Sequence, residues 1–291
     1  MILLQLLISG ILIGGVYALI SLGLTLIFGV MRIVNFVHGD MLMLAMYMAY
    51  WMFKWFSIDN YVGLLVIIPV VAALGALIYW GILRFALRRS HEASILATIG
   101  VSIILQNAAL ILWSADYRSI HNELSTMSIE WAGIRLSAPL LIAFGVALLV
   151  TVLLFAFLNH TYWGKAIRAA SMDRYAAILM GVNPRFIFTL SFAVGTALVG
   201  IAGGLLASVY AVYPTVGTQF LLVSFVVVVL GGLGSLRGSI LGGLIVGIVE
   251  TTSAYFIGSS MKELVYLLLF ILILIIRPTG LFGKQLPEVN R

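Results

Sequence analysis

Small groups of polar residues interrupt an otherwise apolar sequence, and they are the first candidates for chemistry. Asn35, His38 and Asp40 stand at the start of one apolar run, with Asn35 and His38 one helical turn apart. Such side chains are costly inside a membrane, which makes them candidates for lining a pathway or gate. The opposing interpretation is a helix start at the membrane surface, whose His and Asp side chains cap backbone N–H groups.

Two further groups lie deeper in apolar runs. Gln106 and Asn107 share a run with Ser102, which precedes Gln106 by one helical turn. Amides in such positions usually join helices at about 1 kcal/mol, so a structural role is favoured. Glu250 and Thr251 lie in a later run, and Glu250 has no basic neighbour in the sequence. Pathway lining and structural pairing are equally compatible with Glu250.

The segment 160–186 is the largest break in hydrophobicity, and it carries Asp173 as its only acidic residue. Its pattern predicts two short helices, the first over 163–170 and the second capped by Ser171. Gly181 then supplies a left-handed residue at the end of the second helix. This helix either lies on anionic lipid headgroups or docks in a groove of a partner protein. The segment's basic residues are Lys165, Arg168, Arg174 and Arg185.

Motifs for catalysis and for nucleotide binding are missing. The sequence contains no G-x-x-x-x-G-K-[ST], no H-E-x-x-H and no G-x-S-x-G, so neither a P-loop nor these active sites are expected. The four histidines stand in four different segments and predict no metal site. We therefore expect a non-catalytic chain without a cofactor of its own.

The composition places the chain in a membrane. Of its 291 residues 63% are hydrophobic and 9% are charged, whereas soluble domains carry about 25% charged residues. A helix needs roughly 20 apolar residues to cross a bilayer, and nine runs approach this length. We predict an all-α polytopic bundle of about eight or nine transmembrane or re-entrant helices, in which 218–257 forms either two spans or a re-entrant hairpin. The runs are 7–30, 36–56, 61–87, 94–114, 138–158, 186–210, 218–234, 239–257 and 262–277.

Basic residues predict the orientation, because short cytoplasmic loops are rich in Lys and Arg. Placing 160–185 in the cytoplasm, between the fifth and sixth spans, puts twelve of the 16 basic residues inside. The N-terminus and the loop 115–137 are then periplasmic, and the C-terminus is cytoplasmic. Lys262 and Glu263 fall near a membrane surface, where we expect them to be solvated. The charges lie in short loops, so they indicate orientation and not nucleic-acid binding. The inside residues are Arg32, Arg84, Arg88, Arg89, Lys165, Arg168, Arg174, Arg185, Arg237, Arg277, Lys284 and Arg291.

We expect one transmembrane domain over residues 1–291, without a linker. Glycines recur at four-residue spacing, as at Gly10 and Gly14, and this spacing favours close helix packing. Flexible joints in a moving pathway are the alternative. A weak similarity between 10–40 and 200–250 suggests an inverted repeat of the kind that transporters use.

Ala176-Ala177-x-x-x-Gly181 resembles the loop through which ABC importers engage their ATPases. Tyr175 stands where many importers have glutamate, and a downstream Leu-Pro is missing, so the commonest importer subgroup does not fit. Motifs along nearly the whole chain instead resemble the branched-chain amino acid ABC permeases, specifically their shorter membrane subunit. Asp40 replaces the usual glutamate of that family. The motifs are 26–31, 35–40, 97–100, 105–107, 164–169, 229–235 and 243–250.

The resemblance implies a subunit of a bacterial inner-membrane importer that works by alternating access. Its partners would be a second homologous permease, two P-loop ATPases that bind ATP and Mg²⁺, and a periplasmic binding protein that delivers leucine, isoleucine or valine. Transport of urea, short amides or other amino acids remains open within the family, and a stand-alone carrier or channel remains open outside it. The implied ATPase-coupling residues are Lys165, Arg168, Asp173, Arg174, Tyr175, Ala176, Ala177 and Gly181. The pathway candidates are Asn35, His38, Asp40, Gln106, Asn107, Glu250 and Thr251.

Overall fold

The computed structural model describes residues 2–131 and 133–283, and helices make up most of them. Lys284 and Arg291, which entered the orientation count, lie outside the described residues. The helices are α1 Ile2–Met31, α2 Val37–Phe56, α3 Asn60–Ile78, α4 Arg84–Arg89, α5 His91–Trp113, α6 Glu123–Thr126, α7 Ala138–His160, α8 Tyr162–Met172, α9 Arg174–Leu179, α10 Pro184–Leu206, α11 Val216–Gly231, α12 Leu236–Phe256 and α13 Lys262–Ile276.

The all-α membrane bundle predicted from the sequence is confirmed, and each of the nine apolar runs forms a helix. Six helices in the described part of the chain are long and apolar enough to cross a membrane. One of the two longest, 60–89, is continuous because a π-helical turn, Tyr79–Leu83, joins α3 to α4. The run at 218–257 forms two helices, of which α11 has only 16 residues.

One end of the bundle carries a small β-hairpin that the sequence reasoning did not predict. Strands β1 Ser128–Trp131 and β2 Ile134–Ser137 pair antiparallel within the loop 115–137. This loop is tied to neighbouring connections, since Asn122 Nδ2 donates to Asp59 Oδ2 at 3.1 Å and Arg118 forms a β-bridge with Val212. We call this the hairpin end, which comprises 57–59, 114–137, 207–215 and 257–261. The other connections lie at the opposite end.

Helices α2 and α11 begin inside the bundle rather than at its surface. After α1, residues 32–36 run back without helical structure. His38 then reaches the middle of α1, where its Nε2 lies 2.9 Å from the carbonyl oxygen of Ile20. α11 begins beside the same point, since a Cβ on Gly39 would collide with the Gly217 backbone, and the reverse also holds. Transporters use interrupted helices of this kind to place helix N-termini at mid-membrane.

The helices that surround α1 and those that surround α10 are arranged in the same pattern, and α1 and α10 run in opposite directions. α1 packs against α12 and α11, whereas α10 packs against α3 and α2. Likewise α2 contacts α3 and α5, and α11 contacts α12 and α13. The backbones of α1 and α10 approach each other at Gly23 and Gly195. This packing pairs α1 with α10 and α2 with α11, as in an inverted repeat, and its bounds differ from the 10–40 and 200–250 suggested by the sequence.

Glycines draw α1 and α12 into backbone contact. A Cβ on Gly14 would lie 2.7 Å from the carbonyl oxygen of Gly243, and one on Gly10 would lie 2.5 Å from Thr251 Oγ1. The close-packing interpretation of the four-residue spacing is thus correct for this pair of helices.

Candidate functional site

The segment 160–185 forms a short helical platform at the end opposite the hairpin. Thr161 Oγ1 accepts a hydrogen bond from Gly164 N at 3.0 Å and so begins α8. One face of α8 is buried against α7, α10 and α1. This face contains Ala166, Ile167 and Ala170. Arg168 on the other face donates to Asn159. The platform is therefore attached to several long helices.

Helix α9 begins at a different cap from the one expected. Ser171 lies inside α8, and its hydroxyl donates to the Arg168 carbonyl. Asp173 is the cap instead, since its Oδ1 accepts from Tyr175 N and Ala176 N at 2.8 and 3.0 Å. A carboxylate fits this position because a helix N-terminus carries partial positive charge. Gly181 has the predicted left-handed conformation, with φ of 83°.

The exposed face of α9 is apolar with basic residues beside it. Tyr175, Leu179 and Met180 are 80%, 87% and 84% exposed. Ala177 alone among the eight predicted coupling residues is buried, and Arg174 lies over the Phe188 ring of α10 at 4.9 Å. An apolar surface that protrudes from a short helix is suited to insertion into a groove. The other six, Lys165, Arg168, Asp173, Tyr175, Ala176 and Gly181, are exposed.

Asp40 and Gln106, both predicted pathway residues, meet within the bundle. Gln106 Nε2 donates to Asp40 Oδ1 at 2.9 Å, which joins α2 to α5. Ser102 lies 3.2 Å from the same amide nitrogen. The second carboxylate oxygen of Asp40 is buried without a hydrogen-bond partner among residues 2–131 and 133–283. The pair therefore leaves one acceptor available in the interior.

Asn35 and His38 are fully buried beside this pair along the chain. Asn35 Oδ1 accepts from Val37 N at 3.2 Å, so this side chain does bond to the first turn of α2. Asn35 Nδ2 and His38 Nδ1 have no partner within the described residues. Buried polar atoms are normally paired by protein or water. The N-cap residue, Phe36, makes no side-chain cap bond, and His38 and Asp40 bond to α1 and α5, so the start of α2 keeps unused hydrogen-bonding capacity.

Asn107 and Thr251 have local partners. Asn107 lies on an exposed face of α5, and its Nδ2 donates to the Ile103 carbonyl at 2.8 Å. Thr251 donates to the Gly247 carbonyl at 2.5 Å and packs on Gly10.

Glu250 pairs with a residue that the sequence reasoning placed in solvent. Lys262 Nζ lies 2.6 Å from Glu250 Oε1, and the two side chains are 32% and 9% exposed. The turn between α12 and α13 reverses the chain, so residues 12 positions apart face each other. Lys262 is therefore paired and partly buried, whereas Glu263 beside it is exposed as expected. The chain reversal between two adjacent apolar runs was the signal available in the sequence.

The chain is similar to known permease proteins over nearly its whole length. Residues 6–276 match the family model described as branched-chain amino acid transport system / permease component. The permease protein BraD of a Pseudomonas aeruginosa high-affinity branched-chain amino acid transport system is 32% identical, covering 99% of this chain and 97% of its own length. The Escherichia coli LivH permease protein is 30% identical with the same coverages.

A solved structure, PsaBC from Streptococcus pneumoniae in complex with Fab, matches with a TM-score of 0.50 and 15% identity. It covers 96% of this chain and 92% of that chain, and it supports the fold alone. Together with the apolar helices, the relatives identify a multi-pass inner-membrane protein. The chain therefore belongs to the family of permease components of branched-chain amino acid transport systems.

Proposed function

We propose that this chain is the membrane-spanning subunit of an ATP-driven importer that carries leucine, isoleucine and valine into the cytoplasm. The observation that carries the proposal is the family match over 6–276, in a chain whose sequence contains no nucleotide-binding motif. In this proposal two ATPase subunits supply ATP hydrolysis with its Mg²⁺, and the chain itself has no catalytic role and no cofactor. A periplasmic binding protein delivers the substrate.

The 160–185 platform is the proposed ATPase contact and faces the cytoplasm. Its support is the protruding apolar face of α9, flanked by Lys165 and Arg168. Beside α8 and the start of α10 lies a cavity of about 300 Å³, lined by Trp163 and Phe186 among others, which suits a partner side chain. Movement of α9 reaches α10 through Arg174 and Phe188, and α10 crosses α1 at the centre of the bundle.

The exposed face of α5 is the proposed contact with a second permease subunit. This face contains Asn107 and Gly100 among large apolar residues such as Ile104. A Cβ on Gly100 would meet open space, so a second helix has room to approach. By contrast, the exposed residues of α7 between 148 and 153 are the large apolar Leu148, Leu149, Val152 and Leu153, which suit lipid. Small and polar residues are typical of helix–helix contacts in membranes.

The broken start of α2 is the proposed moving element of the pathway. Asn35, His38 and Asp40 place partly unused polar groups beside the crossing of Gly39 and Gly217. Rocking of one repeat against the other would open this crossing to alternate sides, the usual motion of inverted-repeat transporters.

Reconstitution tests the proposed function. The chain is co-purified with its partner subunits, placed in liposomes with ATP available to the ATPases, and supplied with the binding protein. Uptake of leucine that requires ATP supports the proposal. Uptake of urea without leucine would change the substrate class, and gradient-driven uptake by the chain alone would overturn the importer assignment.

A further inference from the structure

A small polar cavity lies at the hairpin end, between α1, α11, α12 and α13. Its volume is about 30 Å³. Gln219 and Glu263 are exposed at its rim, whereas Glu250 and Tyr266 are buried. A cluster of partly buried side-chain oxygens at this end of the bundle calls for a polar occupant. The cavity is lined by Tyr17, Tyr210, Gln219, Phe220, Val223, Glu250, Lys262, Glu263 and Tyr266.

Glu250 provides an unused acceptor in this cavity. Its Oε1 is bonded to Lys262, but its buried Oε2 has no hydrogen-bond partner in the described part of the chain. Tyr17 and Tyr210 line the same cavity as Glu250. Two carboxylates and one ammonium line the cavity, so its formal charge favours a cation.

The size of the cavity restricts which cation it can hold. A cavity of about 30 Å³ exceeds the roughly 10–15 Å³ that one water molecule requires. An ammonium group is close to water in size, whereas a whole branched-chain amino acid is several times larger. The cavity therefore has room for the charged head of an amine, with the rest of the molecule outside the rim.

Lys262 shows which chemical group the Glu250 carboxylate accepts. Its side chain ends in a primary ammonium, the same group that an amino acid carries on Cα, and it lies 2.6 Å from Oε1. We propose that the Glu250 cavity binds the α-ammonium group of the transported amino acid, and that Lys262 occupies part of this site when no substrate is present. This inference rests on the proposed function. It makes Glu250 a specificity-determining residue for amino acids over their analogues without an amino group.

The test measures binding by calorimetry on the assembled transporter in lipid nanodiscs, without the binding protein. The probes are L-leucine, methylammonium and 2-hydroxy-4-methylpentanoate, which is leucine with a hydroxyl in place of the amino group. We expect leucine and methylammonium to bind, and the hydroxy acid to bind at least about tenfold more weakly, because it lacks the charged donor. Equal binding of leucine and the hydroxy acid overturns the proposal. Binding of methylammonium without leucine also overturns it and indicates a site for free cations.

Three variants separate recognition from a structural ion pair. Glu250→Gln should weaken the binding of leucine and of methylammonium about tenfold or more. Lys262→Gln should strengthen the binding of methylammonium, because it removes a competing ammonium group. Equal losses in both variants, or no gain in Lys262→Gln, overturn the proposal. Glu130→Gln makes the same change on the exposed hairpin and should have no effect. If Glu250→Gln fails to fold, Tyr266→Phe is used instead, because it removes one hydroxyl from the cavity. It should weaken the binding of methylammonium, and unchanged binding in this variant counts against the site.

Leucine uptake distinguishes a failure of the cavity assignment from a failure of the proposed function. If the unmodified transporter takes up leucine with ATP and Glu250→Gln does so equally well, the cavity assignment is overturned and the proposed function stands. Failure of the unmodified transporter to take up leucine overturns the proposed function.

Discussion

Gln106 on α5 donates a hydrogen bond to Asp40 on α2 across 66 residues of sequence, with 2.9 Å between Nε2 and Oδ1. This bond links α5 to the interrupted helix α2, and the Tyr47 ring of α2 also stacks on the Trp113 ring of α5. The hydrogen bond leaves the second oxygen of Asp40 buried and unpaired in the part of the chain that the structure describes. Gln106 and Asp40 therefore combine a structural connection with free acceptor capacity.

Gln106→Leu should destabilise the chain by about 1–3 kcal/mol, because it removes the amide donor from a buried carboxylate. Thermal unfolding of the purified protein in detergent measures this change. Asp40→Leu combined with Gln106→Leu should recover part of the loss, since no unpaired carboxylate then remains. Asn107→Leu alters the neighbouring amide, which bonds within its own helix, and serves as the control. Equal melting temperatures for Gln106→Leu and Asn107→Leu would contradict the assignment.

Leu179→Ala should weaken association with the ATPase subunits about tenfold, because burying a leucine side chain stabilises by about 1.5–3 kcal/mol. Co-purification with the ATPases and leucine-stimulated ATP hydrolysis are the measurements. Leu153→Ala truncates an exposed leucine on the apolar face of α7, 56% exposed against 87% for Leu179, and should leave both measurements unchanged. The coupling assignment fails if the two variants behave alike.

Gly39→Ala should destabilise the bundle by about 1–3 kcal/mol, because its Cβ would collide with the Gly217 backbone. Gly145→Ala is the matched control, since a Cβ there meets open space inside helix α7. That substitution should be neutral or stabilise by about 0.5–1 kcal/mol. Unfolding temperatures of the two variants give the comparison, and a stable Gly39→Ala would show that the crossing tolerates separation.

Gly181→Ala should loosen the end of α9, because a left-handed residue other than glycine costs about 1–2 kcal/mol. Gly181 is exposed with no atom near its Cβ position, so the effect is confined to backbone conformation. Asparagine adopts this conformation more readily, and Gly181→Asn should therefore lose less ATPase association than Gly181→Ala. The reverse order would exclude a backbone cause.

Cysteine labelling should establish the orientation directly, because the sequence contains no cysteine. Tyr175→Cys and Tyr117→Cys place single thiols at exposed positions on opposite ends of the bundle. In intact cells a membrane-impermeant maleimide should label Tyr117→Cys and leave Tyr175→Cys unlabelled until the membrane is opened. The opposite labelling pattern would invert the proposed topology and remove 160–185 from the ATPase side.

The sequence alone determined the membrane class, the bounds of the apolar helices and the exposed 160–185 segment. These properties follow from local composition, because a bilayer demands long apolar helices and short loops whatever their arrangement. The turn chemistry was equally local, as Gly181 shows, although Asp173 and not Ser171 begins α9. The 1–291 single-domain assignment stays a prediction.

Only the tertiary structure decided which polar groups meet. Asp40 with Gln106, and Glu250 with Lys262 and Tyr17, are brought together by helix packing and chain reversal, which no local pattern encodes. The hairpin in 115–137 and the start of α2 beside Ile20 were likewise set by contacts between distant segments. Apolar length determines that a helix spans the membrane. The direction in which its few polar side chains point is determined by the neighbours that satisfy them.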